Sequence, residues 1–212
     1  MKALIIGATG ATGKDLVRVV LQDPAYTAVV IFVRKSSGVM HPKLTEILTD
    51  FTNIEKLAQF ITGDVWFSVL GTTLKTAGSK DRQWQIDYEI PAKFAEIAKQ
   101  NGVEKAVLLS AYGASTSSKV FYSRMKGSLE EKIGTLSFQQ YIVFRPGLLL
   151  RDKTDRWVER LSAVILRGLN SIGLVKRFRP MPTLTLADKL AKAPKTLGVG
   201  KHVIELNEIF TF

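Results

Sequence analysis

Three side chains in the middle of the sequence have the types and spacing of an acid–base centre. Tyr122 and Lys126 lie four residues apart in a predicted helix, so they share one face of it. A lysine ammonium there would lower the tyrosine pKa from its usual value of about 10. Tyr122 would then donate a proton to a carbonyl oxygen as hydride reaches the carbonyl carbon. Ser110, at the end of the preceding predicted strand, would hydrogen-bond the same oxygen and orient the substrate.

Such chemistry needs a hydride carrier, and the glycine-rich segment near the N-terminus fits one. Gly7, Gly10 and Gly13 follow an apolar run and precede apolar residues at helical spacing, which indicates a strand, a turn and a helix. Gly7 permits the tight turn, Gly10 lets the backbone lie against a diphosphate, and Gly13 lets the helix pack closely on the strand. The free N–H groups of the helix would attract the anion. The alternative is a structural turn without a ligand.

Two cations follow the second predicted strand, where NAD-selective proteins usually carry an acidic residue. Arg34 and Lys35 occupy this place, and no Asp or Glu stands there. A carboxylate would repel the 2′-phosphate of NADP, whereas an arginine can bind it through two hydrogen bonds. The sequence therefore favours NADP(H) over NAD(H). The alternative is that both are solvated loop charges.

The elements around these residues alternate between strand and helix, which predicts an α/β fold with a parallel sheet. The predicted strands are Lys2–Ile6, Ala28–Val33, Glu46–Leu48, Val65–Leu70, Ala106–Ser110, Gln140–Phe144 and His202–Leu206. The predicted helices are Lys14–Leu21, Ile54–Phe60, a long helix within Asp81–Gln100, Ser117–Ile133 capped by Gly134, Trp157–Leu166 and Leu186–Leu197. The segment Arg177–Thr183 is predicted to be irregular. We expect one Rossmann-type, doubly wound NAD(P)-binding domain over residues 1–212, in which residues 151–212 form a small substrate-side lobe that does not fold independently.

Composition narrows the classes of function. The 212-residue chain is 46% hydrophobic and has no cysteine, which excludes disulfides and thiolate chemistry. Its two histidines are far apart, so we expect no metal site. No apolar run reaches the length of a membrane span, and the N-terminus lacks the pattern of a signal peptide. We expect a soluble, cytoplasmic protein.

The strongly basic balance leaves three kinds of partner open. The net charge is +11 and the isoelectric point is about 9.8, and the basic residues are spread along the chain with a somewhat higher density between Arg151 and Arg179. An anionic cofactor with ordinary solvated lysines explains this balance, and we favour it over a nucleic acid. A regulatory protein bound by the basic segment, or a second copy of the chain, is the third possibility.

These motifs together resemble the short-chain dehydrogenase/reductase superfamily, and within it the atypical Tat-interacting metastasis-suppressor (CC3-like) branch. The resemblance covers residues 2–156. It is carried by Gly7–Gly13, Arg34, Leu70–Thr73, Ala77-Gly78, Leu109–Ala114, Phe121-Tyr122, Lys126-Gly127 and Phe144–Gly147.

The resemblance implies a cofactor site and a Ser–Tyr–Lys centre formed by Ser110, Tyr122 and Lys126. It also implies that Arg145, Pro146 and Gly147 lie beside the nicotinamide. The complete predicted cofactor-binding set is Gly7, Thr9, Gly10, Ala11, Thr12, Gly13, Arg34, Lys35, Asp50, Phe51, Leu70, Gly71, Thr72, Thr73, Arg145, Pro146 and Gly147. Two functions follow: an NADP(H)-dependent oxidoreductase acting on a carbonyl or alcohol of unknown identity, or a non-catalytic NADP(H)-binding redox sensor that regulates a protein partner.

Overall fold

A parallel β-sheet forms the centre of this computed structural model, which describes residues 1–150 and 179–212. The strands are β1 (Lys2–Ile6), β2 (Ala28–Val33), β3 (Leu44–Leu48), β4 (Val65–Ser68), β5 (Lys105–Leu109), β6 (Gln140–Arg145), β7 (Leu149–Leu150), β8 (Met181–Pro182) and β9 (Gly200–Glu205). Seven of them pair in the order β3-β2-β1-β4-β5-β6-β9, and every pair is parallel. The short strands β7 and β8 pair separately.

Helices cover both faces of this sheet. They are α1 (Ala11–Gln22), a 3₁₀ helix (Ile54–Phe60), α2 (Leu74–Ala77), α3 (Lys80–Trp84), a π-helical turn (Gln85–Glu89), α4 (Ile90–Gln100), α5 (Phe121–Thr135), α6 (Thr183–Thr196) and α7 (Asn207–Thr211). Alternate residues of β1 enter opposite cores: Ile5 packs with residues of α1 and α6, and Leu4 packs with residues of α4 and α5. The structure thus confirms the predicted doubly wound, Rossmann-type α/β fold.

The strand order reverses between β1 and β4, which creates the crevice of this sheet. Chain connections leave these two strands toward opposite sides, so the space beyond their carboxyl ends remains open, and ligands of such sheets bind there. The turn after β1 and the segment after β4 both lie at this edge.

The described part of the last third contributes directly to the main sheet. β9 extends it beside β6, and α6 packs against α1. The Tyr26 hydroxyl, which is fully buried, donates a 2.7 Å hydrogen bond to the carbonyl of Ala191 in α6. Trp157–Leu166, predicted to be a helix, lies outside the described residues. Among the residues that are described, no helix has both the length and the apolar character needed to span a bilayer.

The start of α5 differs from the sequence prediction. The helix begins at Phe121 and not at Ser117, because serine side chains bind nearby backbone amides in the preceding segment. The Ser115 and Ser118 hydroxyls accept hydrogen bonds from the amides of Ser117 and Val120, and such local bonds compete with helix formation. The prediction that Gly134 caps this helix is also wrong, since the helix continues through it to Thr135.

The predicted long helix within Asp81–Gln100 contains a π-helical turn. The Ile90 amide donates to the carbonyl of Gln85, five residues back, and Pro91 follows with no amide to donate. The helical structure continues through Pro91, because the backbone hydrogen bond just before it spans five residues and not four. Asp87 lies in this turn.

The close packing of α5 is tested by two glycines in the same helix. A Cβ on Gly127 would overlap the backbone of Ser115, with the Ser115 Cα at 2.6 Å, whereas a Cβ on Gly134 would meet only the Tyr141 ring at 3.8 Å. We expect Gly127→Ala to lower the free energy of unfolding by about 1–3 kcal/mol through overpacking. Gly134→Ala should be neutral or stabilising by up to about 1 kcal/mol. Urea unfolding of both variants makes the comparison, and equal stabilities would contradict this packing.

Candidate functional site

The turn between β1 and α1 is held by direct contact between two glycines. Gly7 has a φ of +84°, and a Cβ there would lie 2.5 Å from the Leu70 amide nitrogen. A Cβ on Gly13 would overlap the Gly7 carbonyl oxygen. Both glycines are therefore required for the first helix to approach the first strand and the segment after β4.

Gly10 serves a different purpose in the same turn. Its φ of −72° and ψ of 172° are open to any residue, and a Cβ there would have the Gly7 oxygen, at 3.3 Å, as its nearest neighbour. Gly10 lines the two cavities at the crevice, so its missing Cβ leaves room beside the backbone. No side chain caps the N-terminus of α1, which leaves its first amides available to an anion. This turn fits a dinucleotide diphosphate.

A cleft of about 640 Å³ opens at the crevice and brings the three predicted catalytic residues together. Ser110, Tyr122 and Lys126 all line it. Seven residues of the predicted cofactor-binding set line the same cleft: Gly10, Ala11, Thr12, Leu70, Gly71, Thr72 and Thr73. The three predicted catalytic side chains and the glycine turn therefore share one cavity, although 100 residues separate Gly10 from Ser110.

A second cavity, of about 300 Å³, continues from the turn toward β2 and β3. Its lining includes the predicted residues Gly7, Thr9, Gly10, Arg34, Asp50, Phe51, Leu70, Gly71 and Thr72. Phe51 has a φ of +63°, which is costly for a bulky side chain, and such strain is often found at binding sites. Arg82, Ile86 and Ile90 also line the cavity and were missed by the sequence analysis. The helical spacing of these three residues was the available signal.

A basic pocket adjoins this cavity and contains the two predicted cations. Its lining residues are Thr9, Lys14, Arg34, Lys35, Ser36 and Ser37. Within residues 1–150 and 179–212, neither Arg34 nor Lys35 takes part in an ion pair. The Glu46 carboxylate in β3 accepts hydrogen bonds from the Ser36 and Ser37 hydroxyls and from the Ser37 amide, which fixes the loop that carries the cations.

The pKa of Tyr122 is shifted in the direction opposite to the prediction. Burial, followed by the negative charge of Asp87, raises the pKa of Tyr122 to about 12, although the residue is 38% exposed. The Lys126 ammonium lies 5.9 Å from the Tyr122 ring centre, and burial lowers the pKa of Lys126 itself. The expected lowering of the tyrosine pKa by Lys126 is therefore wrong for this structure, because the nearby carboxylate and desolvation have the larger effects.

Asp87 is a buried part of the site that the sequence analysis missed. It is fully buried, and its carboxylate accepts hydrogen bonds from the Thr72 amide at 2.8 and 3.1 Å. Burial raises the pKa of Asp87, while the Lys126 charge and the Thr72 amide act in the opposite direction. Gln83, four residues earlier, donates to the Thr72 carbonyl at 3.0 Å. These two side chains hold both backbone groups of Thr72 and so shape the cleft wall.

Ser110 is engaged by a second buried carboxylate that the sequence analysis missed. Its hydroxyl donates a hydrogen bond to Glu130, which is 3% exposed. Arg145 donates to both oxygens of Glu130, with a shortest distance of 2.6 Å, and to Glu205 at 2.6 Å. These carboxylates raise the pKa of Arg145. Glu130 lies four residues after Lys126, so the spacing that selected Tyr122 and Lys126 could have identified it.

The segment Arg145–Gly147 begins next to the Ser110–Glu130 pair, and its place beside the nicotinamide stays a prediction. Arg145, Pro146 and Gly147 are not among the described residues that line either cavity of the crevice. The guanidinium of Arg145 faces its two carboxylates, and the Pro146 carbonyl accepts a hydrogen bond from the Tyr112 amide at 3.0 Å. In this structure the segment supports Glu130 and the loop after β5.

Sequence comparisons agree with this site. A family described as NAD(P)H-binding matches residues 7–162. Protein FMP52, mitochondrial, of Candida albicans is 34% identical over 161 residues, covering 73% of this chain and 70% of that protein. Protein HTATIP2 of Rattus norvegicus is 34% identical over 164 residues, covering 74% of this chain and 67% of that protein.

Solved structures share the fold at low sequence identity. MoeE5 in complex with UDP-glucuronic acid and NAD has a TM-score of 0.75 and 16% identity, covering 97% of this chain and 76% of that chain. UDP-glucose 4-epimerase of Thermotoga maritima, with UDP-glucose, has a TM-score of 0.72 and 15% identity, covering 100% of this chain and 81% of that chain. These similarities concern the fold alone.

The comparisons correct the expected location and establish the family. The FMP52 relatives from six fungi are named as mitochondrial proteins, which contradicts the cytoplasmic location expected from the sequence. That expectation rested on the lack of an apolar membrane span or signal peptide. Mitochondrial targeting sequences are amphipathic, so a search for apolar segments does not detect them. From the matching family, the two relatives and the geometry of the crevice, the chain belongs to the NAD(P)H-binding family, in the atypical short-chain dehydrogenase/reductase branch that includes FMP52 and HTATIP2.

Proposed function

We propose that this protein is an NADP(H)-dependent oxidoreductase that interconverts a carbonyl compound and an alcohol. The observation that carries the proposal is the single cleft shared by the phosphate turn at Gly10 and the side chains of Ser110, Tyr122 and Lys126. A cofactor bound along the turn would have its reactive end near a proton donor.

The cofactor would be held by groups at successive strand ends. The amides at the start of α1 would bind the diphosphate, and Asp50 and Phe51 would contact the adenine. Arg34 and Lys35 would bind a 2′-phosphate in the basic pocket. Cations that form no ion pair within the described residues favour NADP(H), because NAD-selective sites usually carry a carboxylate at this position to bind the ribose.

The side chains of the cleft suit carbonyl reduction. The nicotinamide, when bound, supplies a hydride to the carbonyl carbon and is oxidised. Tyr122 keeps its proton at neutral pH, since its pKa is raised to about 12, and it gives that proton to the carbonyl oxygen. The Ser110 hydroxyl donates its hydrogen bond to Glu130, so its oxygen would act as an acceptor that orients the hydroxyl of the product alcohol.

A sensor without catalysis is the second candidate, and the engagement of Ser110 favours it. The Ser110 hydroxyl, Glu130 and Arg145 already satisfy one another, so this side of the centre needs no substrate to complete its hydrogen bonds. Such a protein would bind NADP(H) and change its affinity for a regulatory partner without hydride transfer. The two candidates differ in turnover and share the cofactor site.

Cofactor preference is tested at Arg34. We expect Arg34→Ala to weaken NADPH binding by about 10- to 100-fold, because a charge-assisted hydrogen bond to the 2′-phosphate is lost, and to change NADH binding less than about twofold. Calorimetric titration with both nucleotides measures the ratio. Arg18→Ala is the matched control, since Arg18 pairs with Asp15 and lies outside the basic pocket. Equal affinities of the unaltered protein for NADPH and NADH would contradict the assignment.

Proton donation is tested at Tyr122. We expect Tyr122→Phe to lower turnover of carbonyl substrates by a factor of about 10² or more while NADPH affinity is retained. Tyr112→Phe is the control, because Tyr112 is equally exposed, at 38%, and is not among the cleft-lining residues of the described chain. Retained turnover in Tyr122→Phe would remove Tyr122 from the mechanism. Absence of turnover in the unaltered protein, across aldehydes, ketones and quinones, would support the sensor.

The raised pKa of Tyr122 also predicts the pH dependence of reduction. A phenol with a pKa of about 12 remains protonated through the neutral range and loses its proton only in strong alkali. The rate of reduction at saturating substrate should therefore show no decrease assignable to Tyr122 between about pH 6 and about pH 9. A decrease centred near pH 7 that disappears in Tyr122→Phe would show that the phenol is acidified instead.

A further inference from the structure

The walls of the cleft, apart from its reacting groups, are formed mainly by apolar side chains. Those that line it are Val69, Leu70, Leu74, Leu109, Val120, Phe121 and Leu149. Two of them are strongly exposed: Val120 by 61% and Leu74 by 47%. Exposed apolar side chains that converge on a concave site next to reacting groups are a common feature of sites for apolar ligands.

Three of the five threonine hydroxyls that line these walls form hydrogen bonds within the protein. The Thr73 and Thr76 hydroxyls bond to each other at 2.8 Å, and the Thr183 hydroxyl donates to Asp15 at 2.7 Å. The amide of Gln83 is likewise used by the Thr72 carbonyl. No carboxylate is found among the described lining residues. Beyond the Thr12 and Thr72 hydroxyls and the Lys80 ammonium, a polyhydroxylated substrate such as a sugar would find few partners among the described lining residues, and its hydroxyls would lose their bonds to water.

From these two observations we infer that the substrate is a lipophilic carbonyl compound, an aldehyde or ketone with an unbranched alkyl chain of medium length. The carbonyl oxygen lies at the Tyr122 hydroxyl, and the alkyl chain extends along Leu74 and Val120. The inference rests on the reductase function proposed above, because it assigns the non-reacting part of the substrate in the same cleft. Carbonyl carbon gains a hydride, carbonyl oxygen gains the Tyr122 proton, and the alcohol leaves with its chain unchanged.

Chain length provides the first test, by direct binding and without turnover. The probes are butan-1-ol, hexan-1-ol and octan-1-ol, since primary alcohols correspond to the product. Calorimetric titration of the full chain measures the Kd of each alcohol. We expect Kd to fall by about two- to fourfold for each added CH₂, as expected when apolar surface is buried. Glucose is the polar probe, because it has no phosphate that the glycine turn could bind, and we expect it to bind more weakly than octan-1-ol. Equal affinities of the three alcohols, or tighter binding of glucose, would overturn the inference.

Matched substitutions then test where the alkyl chain of the ligand binds. Val120→Ser and Leu74→Ser should weaken octan-1-ol binding at least about fivefold, with NADPH affinity unchanged. Val199→Ser and Leu48→Ser are the controls, because Val199 is 80% and Leu48 65% exposed and neither is a cleft residue. Serine also suits position 120 structurally, since this residue caps α5. Equal effects of the cleft and control substitutions would overturn the assignment.

The two proposals fail in different ways. If the protein binds NADPH but shows no dependence on alcohol chain length, the lipophilic substrate is wrong and the cofactor assignment stands. If the protein binds neither NADPH nor NADH, the oxidoreductase function itself is wrong.

Discussion

Contact between the first helix and the first strand is the constraint on which this structure depends. A side chain on Gly13 would overlap the Gly7 carbonyl, and one on Gly7 would meet the Leu70 amide, so the turn, the helix and the segment after β4 fit together only with glycines. This packing directs the uncapped start of α1 at the crevice. The position of any bound diphosphate, and therefore of the reacting groups around it, follows from this contact.

One face of α5 sets the chemistry on the other side of the crevice. Tyr122, Lys126 and Glu130 lie on successive turns of it and provide a phenol, a buried cation and a buried carboxylate. Buried charges are tolerated only with partners. Glu130 is paired with Arg145, and Lys126 lies in the field of Asp87 as well as Glu130. Burial and the negative charge of Asp87 keep the phenol of Tyr122 protonated.

Sequence periodicity predicted the elements well, but it did not predict the partners of buried polar groups. β1 and β2 have the predicted bounds, because both are continuous apolar runs between clear turn signals. The π-helical turn that carries Asp87 has no signal in periodicity, and the effect of Asp87 on Tyr122 is an electrostatic interaction between residues 35 positions apart in sequence. A lysine at the right spacing suggested an acidified phenol. Three-dimensional burial decides the direction instead.

The central claim, that the turn after β1 holds the cofactor diphosphate, is tested most directly at Gly10. Calorimetric titration of Gly10→Ala with NADPH is the measurement, with Gly198→Ala as control because a Cβ there meets nothing within 4 Å. The backbone at Gly10 accepts alanine, so the variant should stay folded while NADPH affinity falls at least about tenfold, since the methyl group occupies the space beside the diphosphate. An affinity equal to that of the unaltered protein would contradict the account.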